Sequence, residues 1–206
     1  MKFCPPGSAL ILSLSIAAIS CCTGCSVHRL AADQTAEIAE AGALGFNGFW
    51  DYEIFGKAVP TAMLQSEALI RISPKNEKLL LGLARTYVVY AYGWIGDEWE
   101  IADERGEFER ADRLERRIMN LYGRASQLAL KVMRQRDDDG LLDQKLKTGK
   151  VDIVRAYLRE VYKDQEDVPS LYWAGLAWGS KMANSGGDLN QLADAPIARA
   201  ILERSV

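Results

Sequence analysis

The sequence offers few residues able to do acid–base or nucleophilic chemistry. His28 is its only histidine. A Ser/His/Asp triad needs an imidazole, and so do a histidine zinc site and histidine-based general acid–base catalysis. His28 follows the last cysteine by three residues, in a stretch that reads as a tether rather than a folded wall. The cysteines are Cys4, Cys21, Cys22 and Cys25, and none occurs after them. A thiolate metal centre or a disulfide scaffold in the body of the protein is thereby excluded. Carboxylates remain. Asp137-Asp138-Asp139 lacks the alternating ligands and later glutamate of a calcium loop and reads as a solvated helix end. Asp97, Glu98 and Glu100 could share acid–base work, but they stand where a helix is expected to end and read as exposed caps. The "NSGGD" run, Asn184 to Asp188, lacks the Lys-Ser/Thr of a phosphate loop. The expectation is a non-enzyme: no catalytic residue, no metal site and no cofactor.

The cysteines have another use. Lys2 is the only charged residue before Ser26, and Ala9–Ser20 is an apolar run of twelve. That run is too short to span a bilayer and has the length of an export signal's apolar region. Small residues, Thr23 and Gly24, precede Cys25, which is the pattern of a bacterial lipoprotein signal. The reading is a signal peptide over 1–24, with Cys25 acylated and Cys21, after Ala18-Ile19-Ser20, as the alternative. Two acyl chains suffice for stable attachment. The protein would stand on the periplasmic side of a bacterial membrane, with Ser26 favouring the outer membrane. Removing Lys2 from 25 basic residues leaves 24, against 28 acidic ones. That mildly acidic body without a basic patch argues against nucleic acid.

The elements that would carry any site are helices. Residues 25–45 read as a lipidated tether with a loosely specified first helix, and 46–206 as one helical domain. Val59, Met63, Ala68, Leu69 and Ile72 follow helical spacing, with Pro60 suiting a first turn and Ser73-Pro74 ending the element. A second helix starts near Asn76. Its Leu79, Leu80, Leu83, Ala84, Tyr87, Val88, Ala91 and Ile95 make more than one stripe, so it must be covered on two sides. "EFERADRLERRIMNLYGRASQLALKVMRQR" is a long amphipathic helix, with Glu109/Arg113 and Asp112/Arg116 paired along its wet face. Nothing alternates like a strand. Pro74 precedes Leu83, Ala84 and Tyr87 by nine, ten and thirteen residues, the spacing of a tetratricopeptide (TPR) junction. The fold expected is an all-α, TPR-like array of antiparallel helix pairs, an α-solenoid without regular repeats.

Aromatic residues crowd two of these helices. Gly175, Gly179 and Ala183 recur every four residues, which would give α-helix 167–185 a smooth side for close approach. Leu83, Ala84, Tyr87, Gly175, Trp178 and Gly179 are therefore assigned to helix packing. Tyr90, Trp94, Tyr172 and Trp173 spread too widely around their helices to all point inward. They are the candidates for a ligand- or partner-binding surface, where amphipathic rings suit an apolar ligand with polar ends.

The stretch "LYWAGLAWG" (Leu171–Gly179), flanked by "DVP" and "LADAPIARAILERS", resembles the TRAP transporter T-component (TatT) family of TPR-like lipoproteins. "ALIRISPKNEKLLLGLARTYVVYAYGWI" and "RRIMNLYGRASQLAL" resemble it too, and the likeness runs from about Phe49 to Ser205. It implies a lipid-anchored accessory subunit of a TRAP-type importer. Such a subunit would bind the periplasmic substrate-binding P-component, help pass an organic ligand to the membrane subunits, and could form a homo-oligomer. A general TPR-like scaffold lipoprotein of envelope assembly is the alternative, expected to show carboxamide and charged groups where the first reading needs Tyr and Trp. The family usually continues with further helices, whereas this sequence stops at Val206 within an amphipathic pattern. Either the sequence is truncated or its array is shorter.

Overall fold

The computed structural model describes residues 27–43, 45, 48–185 and 192–206. The signal segment and both candidate lipidation sites, Cys25 and Cys21, lie outside them. Among the described residues the chain is helical and holds no strand: an all-α array of helices packed on their neighbours. α1 covers residues 27–43, followed by α2 (Tyr52–Ile72), α3 (Glu77–Tyr90), α4 (Gly96–Glu104) and α5 (Phe108–Gln135). Then come α6 (Leu142–Lys147), α7 (Val151–Val161), α8 (Val168–Ala183) and α9 (Ala195–Arg204).

Side-chain caps set several helix starts. The Asp51 carboxylate accepts from the Ile54 amide at 2.8 Å, and the Asn76 side chain accepts from Leu79 N–H at 3.0 Å. Each satisfies one of the donors a helix N-terminus leaves unpaired. Because α2 already begins at Tyr52, Pro60 sits in its interior and not in a first turn. It removes one i→i−4 bond, a local cost of about 3 kcal/mol that the packing of Val59 and Met63 around it offsets. Gly106, at φ +69°, closes α4 in the left-handed region that glycine tolerates.

The second predicted helix is not continuous. After α3 the residues Ala91–Ile95 form a single π-helical turn before α4 resumes. A π turn inserts one residue into the helical ladder and rotates everything beyond it. Here the rotation leaves Tyr92 on the surface, 77% exposed, while Ala91 and Ile95 are fully enclosed. No proline or glycine run announces it in the sequence.

α3 lies between α2 and α5, and α8 between α5 and α9. The two inner helices correspond position by position. Leu80, Leu83, Ala84 and Tyr87 on α3 have the spacing of Leu171, Ala174, Gly175 and Trp178 on α8, and all are buried or packed against the core. Each fully buried leucine there contributes about 1.5–3 kcal/mol. In the sequence the second set is displaced by α4, α6 and α7, which is why no regular period shows. The C-terminal half of α5 buries Ala125, Leu128, Ala129, Leu130, Val132 and Met133, more than one stripe. It is enclosed by α3 on one side and α8 on the other.

One arginine ties the two inner helices to α5. Arg136, at the end of α5, pairs with Glu77 at 2.5 Å and with Asp167 at 3.1 Å. Both carboxylates stand at helix N-termini, of α3 and α8, where negative charge is favoured. Asp137 departs from the solvated role expected of the aspartate run. It is buried, accepts from Leu142 N–H at 2.7 Å, and takes a short hydrogen bond from the Tyr157 hydroxyl. It thus holds α6 and α7 against the end of α5, while Asp138 and Asp139 remain exposed.

Candidate functional site

The structure separates the residues marked as binding rings. Tyr90 is 5% exposed; its ring lies under the Arg117 guanidinium, 5.8 Å from the centroid. It is a core residue, not a ring offered to a ligand. The helical angle already contained this, since Tyr90 continues the buried sector of Leu83 and Tyr87. Trp94, on the π turn, is partly buried and stacks on Tyr52, centroids 4.5 Å apart. It also covers Gly56 of α2 so closely that a Cβ there would stand 1.9 Å from its ring. The Tyr52 hydroxyl completes the lock, 2.9 Å from the Gly93 carbonyl and 2.8 Å from the Asp97 carboxylate. Trp94 therefore fastens α2 to the π turn.

Tyr172 and Trp173 stay together as an edge-to-face pair, centroids 4.9 Å apart. Trp173 packs partly on the core, whereas Tyr172 is 41% exposed. They begin a surface strip on α8 that continues through Leu176, Gly179 and Ser180. The corresponding positions of α3, Leu81, Arg85, Val89 and the following Tyr92, present the same side. Val89 and Tyr92 are exposed. α3 and α8 touch one another as well as α5, which places the two strips on neighbouring helices. The result is one largely apolar, tyrosine-bearing face across two helices. Two surface depressions lie elsewhere, one against Gly106–Arg110 and Arg113, the other among Val151, Arg155, Ala195, Pro196 and Arg199.

The packing residues divide as well. Leu83 and Ala84 are fully enclosed. Gly175 allows α9 to touch the backbone of α8: a Cβ there would lie 2.7 Å from the Leu202 amide nitrogen. Gly179 does not pack in that way, since a Cβ at that position meets nothing within 4 Å, and Ala183 is exposed. The glycine stripe drawn from sequence is one close contact followed by open surface. Each four-residue step turns the stripe about 40° further around the helix and carries it about 6 Å along the axis, away from the place where α9 touches α8. Tyr87 and Trp178 are both packed against the core, as their spacing implies.

Tyr87 has a polar role that its hydrophobic spacing did not disclose. Its hydroxyl donates to Glu67 at 2.9 Å, and Arg124 grips the same carboxylate through two bonds of 2.7 Å. Three helices, α2, α3 and α5, meet at this group. The Arg124 hydrogen bonds hold the Glu67 carboxyl below its ordinary range. Burial, reinforced by Glu67, pushes the Tyr87 hydroxyl up to about 12. The bidentate carboxylate is saturated by its partners, an arrangement that fixes helices and leaves no base to abstract a proton. Among the described residues no group of three or more His, Cys, Asp or Glu is placed to hold a metal ion. No described helix is long and apolar enough to cross a membrane.

A family model described as TRAP transporter T-component matches residues 50–206. The chain belongs to the TRAP transporter T-component family. The match covers the domain from the start of α2 to the last residue, including both inner helices and the tyrosine-bearing face. As a T-component the chain is an extracytoplasmic accessory component of a transporter system. No curated protein matches the sequence.

Proposed function

We propose that this T-component is a lipid-anchored, TPR-like subunit that binds the periplasmic substrate-binding P-component of its importer through the α3/α8 face. The observation that carries the reading is the composition of that face. Val89, Tyr92 and Tyr172 are exposed on it, and Leu81, Trp173 and Leu176 are partly buried. Protein partners favour such surfaces, because tyrosine supplies contact area at low entropic cost and keeps a polar end for water. A scaffold for extended peptides in envelope assembly would instead need carboxamide and charged side chains there. The matching residue spacing of α3 and α8 supports the TPR-like description, and the Thr23-Gly24-Cys25 approach supports the anchor on the periplasmic side. Tyr172 and Trp173 are the rings offered to an organic ligand passing between the proteins.

Titration calorimetry of the purified T-component against the P-component of the same importer tests the reading. Micromolar or tighter binding is expected. Tyr92→Ala and Tyr172→Ala should each weaken it by about 1–2 kcal/mol, or roughly 5- to 30-fold. Lack of any complex, or binding untouched by both substitutions, defeats it.

A further inference from the structure

We infer that the outward face of α1 lies on the lipid surface to which the chain is anchored. The inference rests on the lipid-anchor reading proposed above. α1 is built the opposite way from a helix on the rim of a water-soluble array, which buries its apolar stripe and wets its charges. Its carboxylates pair with groups of the link between α2 and α3 and of α3 itself. Asp33 accepts from Ser73 Oγ and Asn76 Nδ2, both at 2.6 Å, at the link between α2 and α3. Glu37 and Glu40 both pair with Lys78, at 2.5 and 2.7 Å. Ala32 and Ala36 are buried between these contacts. Facing outward are Val27, Leu30, Ala31, Gln34, Ile38 and Ala41, all exposed and at the three- and four-residue steps of a single stripe. Val27 and Leu30 are 60% and 61% exposed and Ile38 is 72% exposed. No member of the stripe is ionisable.

The position of the anchor selects the occupant. Cys25 precedes Val27 by two residues, a reach of at most about 7 Å. An interfacial helix sinks its apolar face about 5–10 Å into the headgroup and acyl boundary. Acyl chains on Cys25 therefore hold the first turn of α1 within that layer. The stripe runs the length of the helix, from Val27 to Ala41, about 20 Å at 1.5 Å per residue. To satisfy all of it, α1 must lie along the surface and not stand on it. The acyl chains supply the attachment; the stripe sets which side of the array faces the membrane.

The absence of cysteine after Cys25 makes the test clean. The full chain is expressed with its own signal, its acylation is verified by mass spectrometry, and it is reconstituted in phosphatidylethanolamine/phosphatidylglycerol vesicles. Ile38→Cys and, at an exposed position of α7, Arg159→Cys carry an environment-sensitive NBD label. Unsubstituted protein treated in parallel reports any label on a signal cysteine. The expected result is blue-shifted emission at position 38 that nitroxide-bearing lipid quenches, with position 159 emitting as in water. Water-like, unquenched emission at position 38 in acylated, vesicle-bound protein overturns the inference and leaves the anchor intact. Protein without acyl chains overturns the anchor reading itself, and this inference with it. A blue shift at position 38 without vesicles, growing with protein concentration, shows a second copy on the stripe and also overturns it.

Discussion

Replacing Gly175 by alanine adds one methyl group where α8 meets α9, and its cost can be set against an internal control. The new Cβ would lie 2.7 Å from Leu202 N, 2.8 Å from Leu202 Cβ and 2.9 Å from Leu202 Cα. Two of these are backbone atoms, so no side-chain rotation relieves the overlap and α9 must move bodily. Overpacking of this kind costs about 1–3 kcal/mol. Alanine returns about 1 kcal/mol in helix propensity, leaving a net loss of up to about 2 kcal/mol. Gly179→Ala gains the same propensity on the same helix with nothing within 4 Å of the added Cβ, so it should stabilise by about 0.5–1 kcal/mol. Urea denaturation followed by circular dichroism reads both, as midpoint shifts of opposite sign at constant slope. Hydrogen exchange should show faster opening in α9 of the Gly175→Ala protein, since α9 is the element displaced. If both alanines stabilise equally, α9 does not rest on the backbone of α8 and the packing argument fails.

Other substitutions address the remaining junctions. Arg136→Met leaves buried Asp167 without its cation and should cost about 3 kcal/mol in denaturant unfolding, the lower end for a broken buried pair; a change under 1 kcal/mol would show that the Asp164 amide, which donates to the same carboxylate at 3.0 Å, satisfies it alone. Gly56→Ala forces Trp94 off α2 and should redden tryptophan emission as the ring enters water, whereas unchanged emission would contradict the Tyr52–Trp94 lock. The Glu67 carboxyl titrates below its ordinary value in the folded protein. Its stabilising contribution is therefore complete above the unfolded pKa, about 4.3, and lost as pH falls through the depressed folded value. Glu67→Gln should flatten the acid limb of stability against pH. For Tyr87 the sign is reversed. With a folded value of about 12, its contribution is full below about pH 10 and declines as pH rises toward 12, so Tyr87→Phe should flatten the alkaline limb.

The sequence by itself determined the all-helical class, the Asn76 start of α3, the end of α2 at Ser73 and the packing of Leu83, Ala84 and Trp178. These follow from periodicity and capping, which act over three or four residues and are written locally. Tyr90 was misassigned: grouped with the outward rings because the four aromatics spread around their helices, it in fact continues the inward sector of Leu83 and Tyr87 and is buried. Only the tertiary structure decided which charged and small residues matter. Asp137, Asp167 and Glu67 look like solvated charges along the chain, yet each finds its cation or donor on another helix. Burial of a carboxylate depends on partners that the sequence does not place beside it. Gly175 and Gly179 share a spacing rule, and only the line along which α9 crosses α8 makes the first a contact and leaves the second open. The π turn belongs to the same class. Its extra residue swings Tyr92 into solvent and Trp94 onto Gly56, a choice made by the packing of α2 against α3 and invisible to any pattern that assumes an unbroken helix.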